Sequence, residues 1–411
     1  MIQIGKRLSS FQIIILGFAA LILIGSLLLM LPVSTQDGRS AIFSDALFTA
    51  TSAVCVTGLI IQDTATYWST FGQAVIIMLI QIGGMGVFTV AIAISAFSGK
   101  QISLKQRSTM QESISAHKVG GIVRLTGFII KMTIIFELLG AVIMAPTFCK
   151  EFGVLKGVWY AVFHSISAFC NAGFDLMGVK TSFSSLTYFV DNPVINFVIM
   201  SLIIIGGIGF MTWDDIKINK HHIRKYRMQS KVILITTALL ILLPALYFFF
   251  FEFGARPLSE RIWSSLFQSI TPRTAGFNTS DLTQISEIGT AITIMLMLIG
   301  GSPGSTAGGM KTTTIAVLFS TAISVFRRRE HTNFFGRRVN DDAIRNASTI
   351  LMMYIILFLA GGFLISHIEG LPLLTCLYET ASAVGTVGLT LGITPTLGII
   401  SRIILIVLMY I

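Results

Sequence analysis

The chain has 411 residues, of which 54% are hydrophobic and only 12% charged; its mean hydropathy is +0.82 and its formal net charge +10. Soluble domains carry about 25% charged residues, so a water-soluble globule is excluded and a bilayer is the setting. The excess positive charge calls for no nucleic acid, because it fits membrane topology and contact with anionic lipid.

Apolar runs at 11–31, 74–97, 194–210, 232–251 and 350–365 reach or approach the ~20 residues that carry a helix across ~30 Å of hydrocarbon. The first outlasts the apolar core of a signal peptide and no small-residue cleavage site follows, so it reads as a mature helix. In the first unit it is followed by a short amphipathic segment at 42–54, a glycine-ended signature at 56–59 and a second apolar helix at 67–97. The short segment cannot span, and reads as a re-entrant pore helix. The irregular backbone after it is tolerated at membrane depth only where it lines a wet path or is buried in protein.

The signature recurs four times: SAVCVTGL at 52–59, SAFCNAGF at 167–174, ITPRTAGF at 270–277 and SAVGTVGL at 382–389. The glycines Gly58, Gly173, Gly276 and Gly388 are 115, 103 and 112 residues apart, so each holds one place in a unit of about 110 residues. An aromatic residue stands ten positions before the glycine at Phe48, Phe163 and Tyr378; Phe267 stands nine before, next to a bend at Pro272, so the third unit is one residue shorter. Four such units suggest a ring in which glycine lets backbone carbonyls replace the hydration shell of a potassium-sized cation. The pore helices would aim the negative ends of their dipoles at it.

The second helices carry IGGMGV at 82–87, IGGIGF at 205–210 and IGGSPG at 299–304. Small residues there serve close helix packing or a hinge, with packing expected in the first two units. In the third, GGSPGSTAGGMKTTT at 300–314 makes a continuous helix untenable. It reads either as a flexible plug with Lys311 near the path or as a kinked helix whose lysine snorkels outward. Its likeness to a phosphate-binding loop fails, since Met310 stands where that motif needs lysine and no buried strand precedes it.

Nineteen of the 29 Lys and Arg cluster before the first unit or between units: Lys6 and Arg7; Lys100, Lys105, Arg107, Lys118 and Arg124; Lys217, Lys220, Arg224, Lys225, Arg227 and Lys231; Arg327, Arg328, Arg329, Arg337, Arg338 and Arg345. The positive-inside rule makes these joints cytoplasmic, with both termini inside and the signatures open to the outside. Arg273 and Glu379, beside the signatures, either act on ions or brace the loops. Lys131 and Glu137 do not share a helical face and make a poor pair. Asp63, Asp175 and Asp281 form an acidic vestibule or are simply solvated. Cys55, Cys149, Cys170 and Cys376 lack disulfide or metal spacing. The six histidines lack HExxH and an acidic partner, which speaks against a membrane enzyme. Basic joints between all units mean repeats of one direction, against an inverted-repeat carrier.

The fourfold helix, pore loop, helix pattern resembles the Trk/Ktr/HKT superfamily of cation transporters over essentially the whole chain, most closely its KtrB branch. TPRTAGFN at 271–278 and GGSPGSTAGG at 300–309 are the distinctive strings. The resemblance implies an all-α polytopic membrane protein, not an enzyme, in which four parallel repeats surround a central pore: 1–98, 99–220, 221–330 with the broken inner helix, and 331–411. It implies a selectivity filter from Val56, Thr57 and Gly58; Asn171, Ala172 and Gly173; Thr274, Ala275 and Gly276; and Thr386, Val387 and Gly388. It implies gating by the loop bearing Gly300, Gly301, Ser302, Pro303, Gly304, Ser305, Thr306, Gly308, Gly309 and Lys311. Potassium uptake across the plasma membrane, Na+ as an activator, a homodimer and a cytosolic nucleotide-binding regulatory ring follow from the same likeness; a less selective Na+/K+ transporter is the alternative. Two departures stand out. One glycine per unit predicts fewer stacked ion sites than a TVGYG filter gives. The Gly-Arg pair of the family's last inner helix is missing, so more chain is expected after residue 411, and Arg402 sits too near the start of that helix to take the gating role.

Overall fold

The computed structural model describes residues 9–87, 89–90, 109, 111 and 122–411. The basic residues Lys6, Arg7, Lys100, Lys105, Arg107 and Lys118, together with His117 and the stretch 91–97, lie outside that set. The first unit comprises α1 (Ser10–Leu29), α2 (Phe43–Val54) and α3 (Thr70–Met85); the second α4 (Ile122–Phe152), α5 (Val154–Phe169), α6 (Pro193–Gly207) and α7 (Phe210–Asn219). The third is α8 (Met228–Tyr247), α9 (Leu258–Ile270), α10 (Glu287–Leu298) and α11 (Thr312–Phe326), and the fourth α12 (Asp341–Glu369), α13 (Leu373–Val384) and α14 (Ile399–Tyr410). A hairpin of β1 (Asn333–Phe334) and β2 (Arg337–Arg338) joins the last two units.

Local chemistry sets the ends. Ser9 closes a capping box with Gln12 at the start of α1. Ser69 and Ser286 cap α3 and α10 through the amides of Gly72 and Gly289, and Asn192 caps α6 ahead of Pro193. Among the described residues, α1, α4, α12 and α8 with its π-helical extension Phe248–Glu252 are long and apolar enough to cross a bilayer. Helix α4 escapes a simple apolar scan because Lys131 and Glu137 interrupt it.

The outer helices present apolar side chains outward, Phe11, Leu27, Leu138, Val142, Leu242 and Met352 among them. The C-terminal halves of the short helices α2, α5, α9 and α13 are largely buried, and Thr51, Ser52, Ser167, Ser269, Thr271 and Ser382 are buried with them. Apolar outside and polar within is the arrangement a bilayer selects. The glycine pairs of the second helices do pack closely, against the ends of the pore helices: a Cβ on Gly83 would stand 2.1 Å from Val54 O, and one on Gly206 2.0 Å from Phe169 O. In both units a break accompanies this packing: α3 ends at Met85, where Gly86 takes φ +82°, and α6 and α7 meet at a 95° bend. Gly209, at φ +91°, takes the turn.

Candidate functional site

Each pore helix runs into a loop of one conformation. Val56, Asn171, Thr274 and Thr386 have φ of 55°, 59°, 64° and 49°, and two residues later Gly58, Gly173, Gly276 and Gly388 have φ of 90°, 71°, 78° and 95°. The residue between stays at negative φ. Such alternation turns successive carbonyls to one side of an extended chain instead of opposite sides, which lines a path with oxygen.

The four loops close on one another. A Cβ on Gly58 would lie 2.4 Å from Ala172 O, on Gly173 2.7 Å from Ala275 O, on Gly276 2.5 Å from Val387 O, and on Gly388 2.3 Å from Thr57 O. Each glycine therefore abuts the carbonyl before the next unit's glycine, in the order one, two, three, four and back to one. The anchors repeat too: the amides of Thr57, Ala172, Ala275 and Val387 donate to the carbonyls of Ser52, Ser167, Thr271 and Ser382 at 2.8, 2.8, 2.9 and 2.8 Å. The hydroxyls of Ser52 and Ser382 accept from Gly58 N and Gly388 N, while those of Ser167 and Thr271 donate to Phe174 O and Phe277 O. The hydroxyls of Thr57, Thr274 and Thr386 are buried with no protein partner. A buried oxygen without a partner is costly unless a ligand uses it, and these three sit in the ring.

Between α10 and α11 the chain leaves the helix and crosses beneath the ring. Gly300 N donates to Met310 O (2.9 Å) and Thr312 N to Gly301 O (2.9 Å), closing the loop on itself. Its tip docks into the break between α6 and α7: Ser302 N donates to Gly207 O (2.9 Å), Thr306 N to Gly206 O (3.3 Å), and Phe210 N to Gly304 O (2.7 Å). Two interrupted helices thus satisfy each other's backbone. The Thr306 hydroxyl reaches Phe169 O (2.9 Å) and Asn171 Oδ1 (3.2 Å), and Asn171 Nδ2 goes on to Arg273 O (3.4 Å). On the far side Gly308 lies so close to Thr386 that a Cβ would fall 1.9 Å from its hydroxyl. Lys311 Nζ bonds Ala307 O (2.8 Å) and Gly308 O (3.3 Å), so the ammonium braces the loop from within and does not snorkel outward. Toward the first unit a cavity of about 230 Å³ separates the loop from Val56 and Gly84.

The charged residues mostly brace. Glu379 takes Thr390 Oγ1, Leu391 N (3.2 Å) and Thr394 Oγ1 (2.8 Å), tying α13 to the loop beyond Gly388. Arg273 turns toward α8, where Nη2 lies 3.4 Å from Thr237 Oγ1. The vestibule reading is corrected for Asp63, which is buried and accepts from Ala65 N, Thr66 N and, across the unit boundary, Phe183 N (2.8 Å). Asp175 is half-buried and accepts from Met177 N; burial first, and then the nearby Asp63 charge, push its carboxyl up to about 7. Asp281 is exposed and caps its own turn.

Sequence reasoning missed three connections. Asn171 links two loops and the crossing segment. Arg402, set aside from the gate, meets Asp45 at 3.2 Å and also donates to Leu397 O and Pro395 O, sealing the fourth unit to the first. His164 lies between Tyr160 O (2.7 Å) and Leu176 N (3.3 Å), which fixes the tautomer with the proton on Nδ1. Only their polarity inside apolar surroundings marked them in the sequence. The four cysteines are free, and among the described residues no cluster of three or more His, Cys, Asp and Glu could hold a metal.

A family model described as TrkH, cation transport protein, matches residues 7–411. The potassium/sodium uptake protein NtpJ of Enterococcus hirae is 40% identical over all of this chain and 91% of its own, and the Ktr system potassium uptake protein B of Bacillus subtilis is 38% identical over 97% and 89%. The crystal structure of the potassium transporter TrkH from Vibrio parahaemolyticus superposes with a TM-score of 0.78 at 19% identity, over 100% of this chain and 84% of that one. Fold, ring and sequence agree: the chain belongs to the TrkH family of cation transport proteins, in its Trk/Ktr branch, and is a membrane transporter and not an enzyme.

Proposed function

We propose that the chain takes up potassium across the plasma membrane through the ring, with the carbonyls of Val56, Thr57 and Gly58, Asn171, Ala172 and Gly173, Thr274, Ala275 and Gly276, and Thr386, Val387 and Gly388 as the selectivity filter. The observation that carries this is the closed circuit in which each glycine abuts the next unit's carbonyl. The loop from Gly300 to Lys311 is the gate, a reading supported by its course beneath the ring and its bonds to Phe169 and Asn171. The four repeats divide at 1–98, 99–220, 221–330 and 331–411, with basic joints and both termini cytoplasmic. A homodimer on a cytosolic nucleotide-binding ring, with Na+ as activator, completes the reading; the Ktr names of relatives support a multicomponent system.

The test is 86Rb+ uptake into vesicles with and without Na+. Wild-type uptake abolished in a folded Gly276→Asp protein supports the pore, and uptake that survives that substitution discredits it. A second reading, transport of Na+ and K+ with little preference, draws on the potassium/sodium name of the 40% identical relative and on one glycine per unit. Competition of Na+ against Rb+ in the same vesicles separates the two.

A further inference from the structure

Away from the ring, a cavity of about 400 Å³ opens between α8, α11, α12 and the β1–β2 hairpin. Its wall is mainly apolar, with Met228 and Val232 from α8, Val317 from α11, Phe334 from the hairpin and Ala343 from α12; Arg338 stands on its rim. The volume takes part of an amphipathic lipid, a headgroup and the upper part of one acyl chain, with the rest outside. The hairpin that flanks it is well defined: Phe335 and Gly336 both have positive φ, as a two-residue type I′ turn requires, and Val339 N and the Thr332 hydroxyl tie it back to Thr332 O and to Thr321 on α11.

Arg338 is the one charged residue among those lining the cavity, and it belongs to a basic stretch of the chain. Between residues 327 and 345 six arginines face three acids, and Lys231 lies over the Phe335 ring. Arg338 pairs with Asp341 at 2.9 Å, but both are exposed, so that pair is weak and a phosphate can displace it. The cavity sits where α8 and α12 begin, at the basic edge of the apolar belt. Basic pockets between membrane helices on that side suit anionic headgroups.

We propose that this cavity binds an anionic glycerophospholipid from the leaflet on the basic side, its phosphate against Arg338 and an acyl chain along Met228, Val232 and Val317. The cavity also touches Thr313 and Thr314, the second and third residues of α11, which starts where the crossing loop ends at Lys311. An occupied cavity therefore holds α11 against α8 and restrains the loop. The binding stands independently of the pore reading; the effect on flux rests on it.

The experiment is native mass spectrometry of the full chain offered phosphatidylglycerol or phosphatidylcholine with the same acyl chains. Wild type is expected to retain phosphatidylglycerol with at least tenfold preference, undiminished by excess inorganic phosphate. Arg338→Gln should bring the two lipids near parity, and Ala343→Trp, which fills the cavity, should remove the adduct, each variant melting cooperatively like wild type. No preference in wild type overturns the proposal, as do adducts that survive both variants, displacement by free phosphate, or a cross-link from Ala343→Cys showing that a second copy of the chain fills the cavity. Rb+ flux, measured in parallel in vesicles of each lipid, is expected to differ at least threefold. Equal flux removes the link to the gate, and absent flux with intact lipid binding counts against the pore and not against this site.

Discussion

Adding one methyl group at Gly388 separates crowding of the ring from strain in the loop. A Cβ there stands 2.3 Å from Thr57 O and 2.9 Å from Gly58 Cα, so the neighbouring carbonyl must retreat by about 1.1 Å to reach an ordinary contact. The backbone strain of a non-glycine residue at φ +95° adds about 1–2 kcal/mol. Gly392 is the matched control, for it lies in the same outer loop at φ +88° with nothing within 4 Å of its Cβ position. Both alanine variants carry the strain; only Gly388→Ala moves a carbonyl of the ring. The strain is common to both, so only the displacement, costing a further ~1–2 kcal/mol, separates them, which corresponds to roughly tenfold in rate if it falls on ion passage. The assay is Rb+ uptake with Na+ competition in vesicles, normalised to folded protein. Gly388→Ala should lose roughly tenfold in rate or its preference for Rb+, and Gly392→Ala should stay within about threefold of wild type. Equal losses, or a selective Gly388→Ala protein, would refute the view that close contact of the four loops governs permeation.

Deleting 302–306 should raise Rb+ flux in folded protein, because the tip that docks on Gly206 and Gly207 is removed; unchanged or lower flux counts against the gate. Thr306→Val removes the bonds to Phe169 O and Asn171 Oδ1, each worth about 1 kcal/mol, and should raise basal flux roughly tenfold, read by the same uptake. Arg402→Gln leaves the nearly buried Asp45 without its cation and should lower the thermal midpoint by several degrees, with Asp45→Asn added recovering part of the loss, as a double-mutant cycle would record. The Asp175 carboxyl is held well above its unfolded value near 3.9, so it binds its proton more tightly in the folded protein. Its contribution to stability is full below about pH 4 and is lost as pH rises through about 7. Relative to Asp175→Asn, wild type should lose stability across that window, measured by thermal melting in detergent.

The pore helices were readable because length and amphipathic pattern decide them: the expected 42–54 is Phe43–Val54 in the fold. The glycines were readable because their backbone conformation admits little else. The left-handed turn two positions earlier was not, since of Val56, Asn171, Thr274 and Thr386 only the asparagine is of a type that favours positive φ, and all four owe it to the loops around them. The 95° bend after Gly207 was equally hidden. Nothing in IGGIGF itself sets the angle, and what stabilises the break is a segment about a hundred residues away, whose amides take the freed carbonyls. Asp63 looked like a vestibule charge for the same reason, as its partner Phe183 belongs to the next unit.

Among the described residues, the crossing loop belongs to one unit only. Had the ring been assembled from four identical chains, any such insertion would have appeared four times and collided with itself on the axis. Joining the copies in tandem on a single polypeptide releases each quarter to drift, so one can supply a stopper, a second the socket that receives it, and a third the Thr386 wall against which it rests. On the proposed reading of the loop as gate, asymmetry of this kind would let a single stroke open or shut the conduit without four movements having to be synchronised.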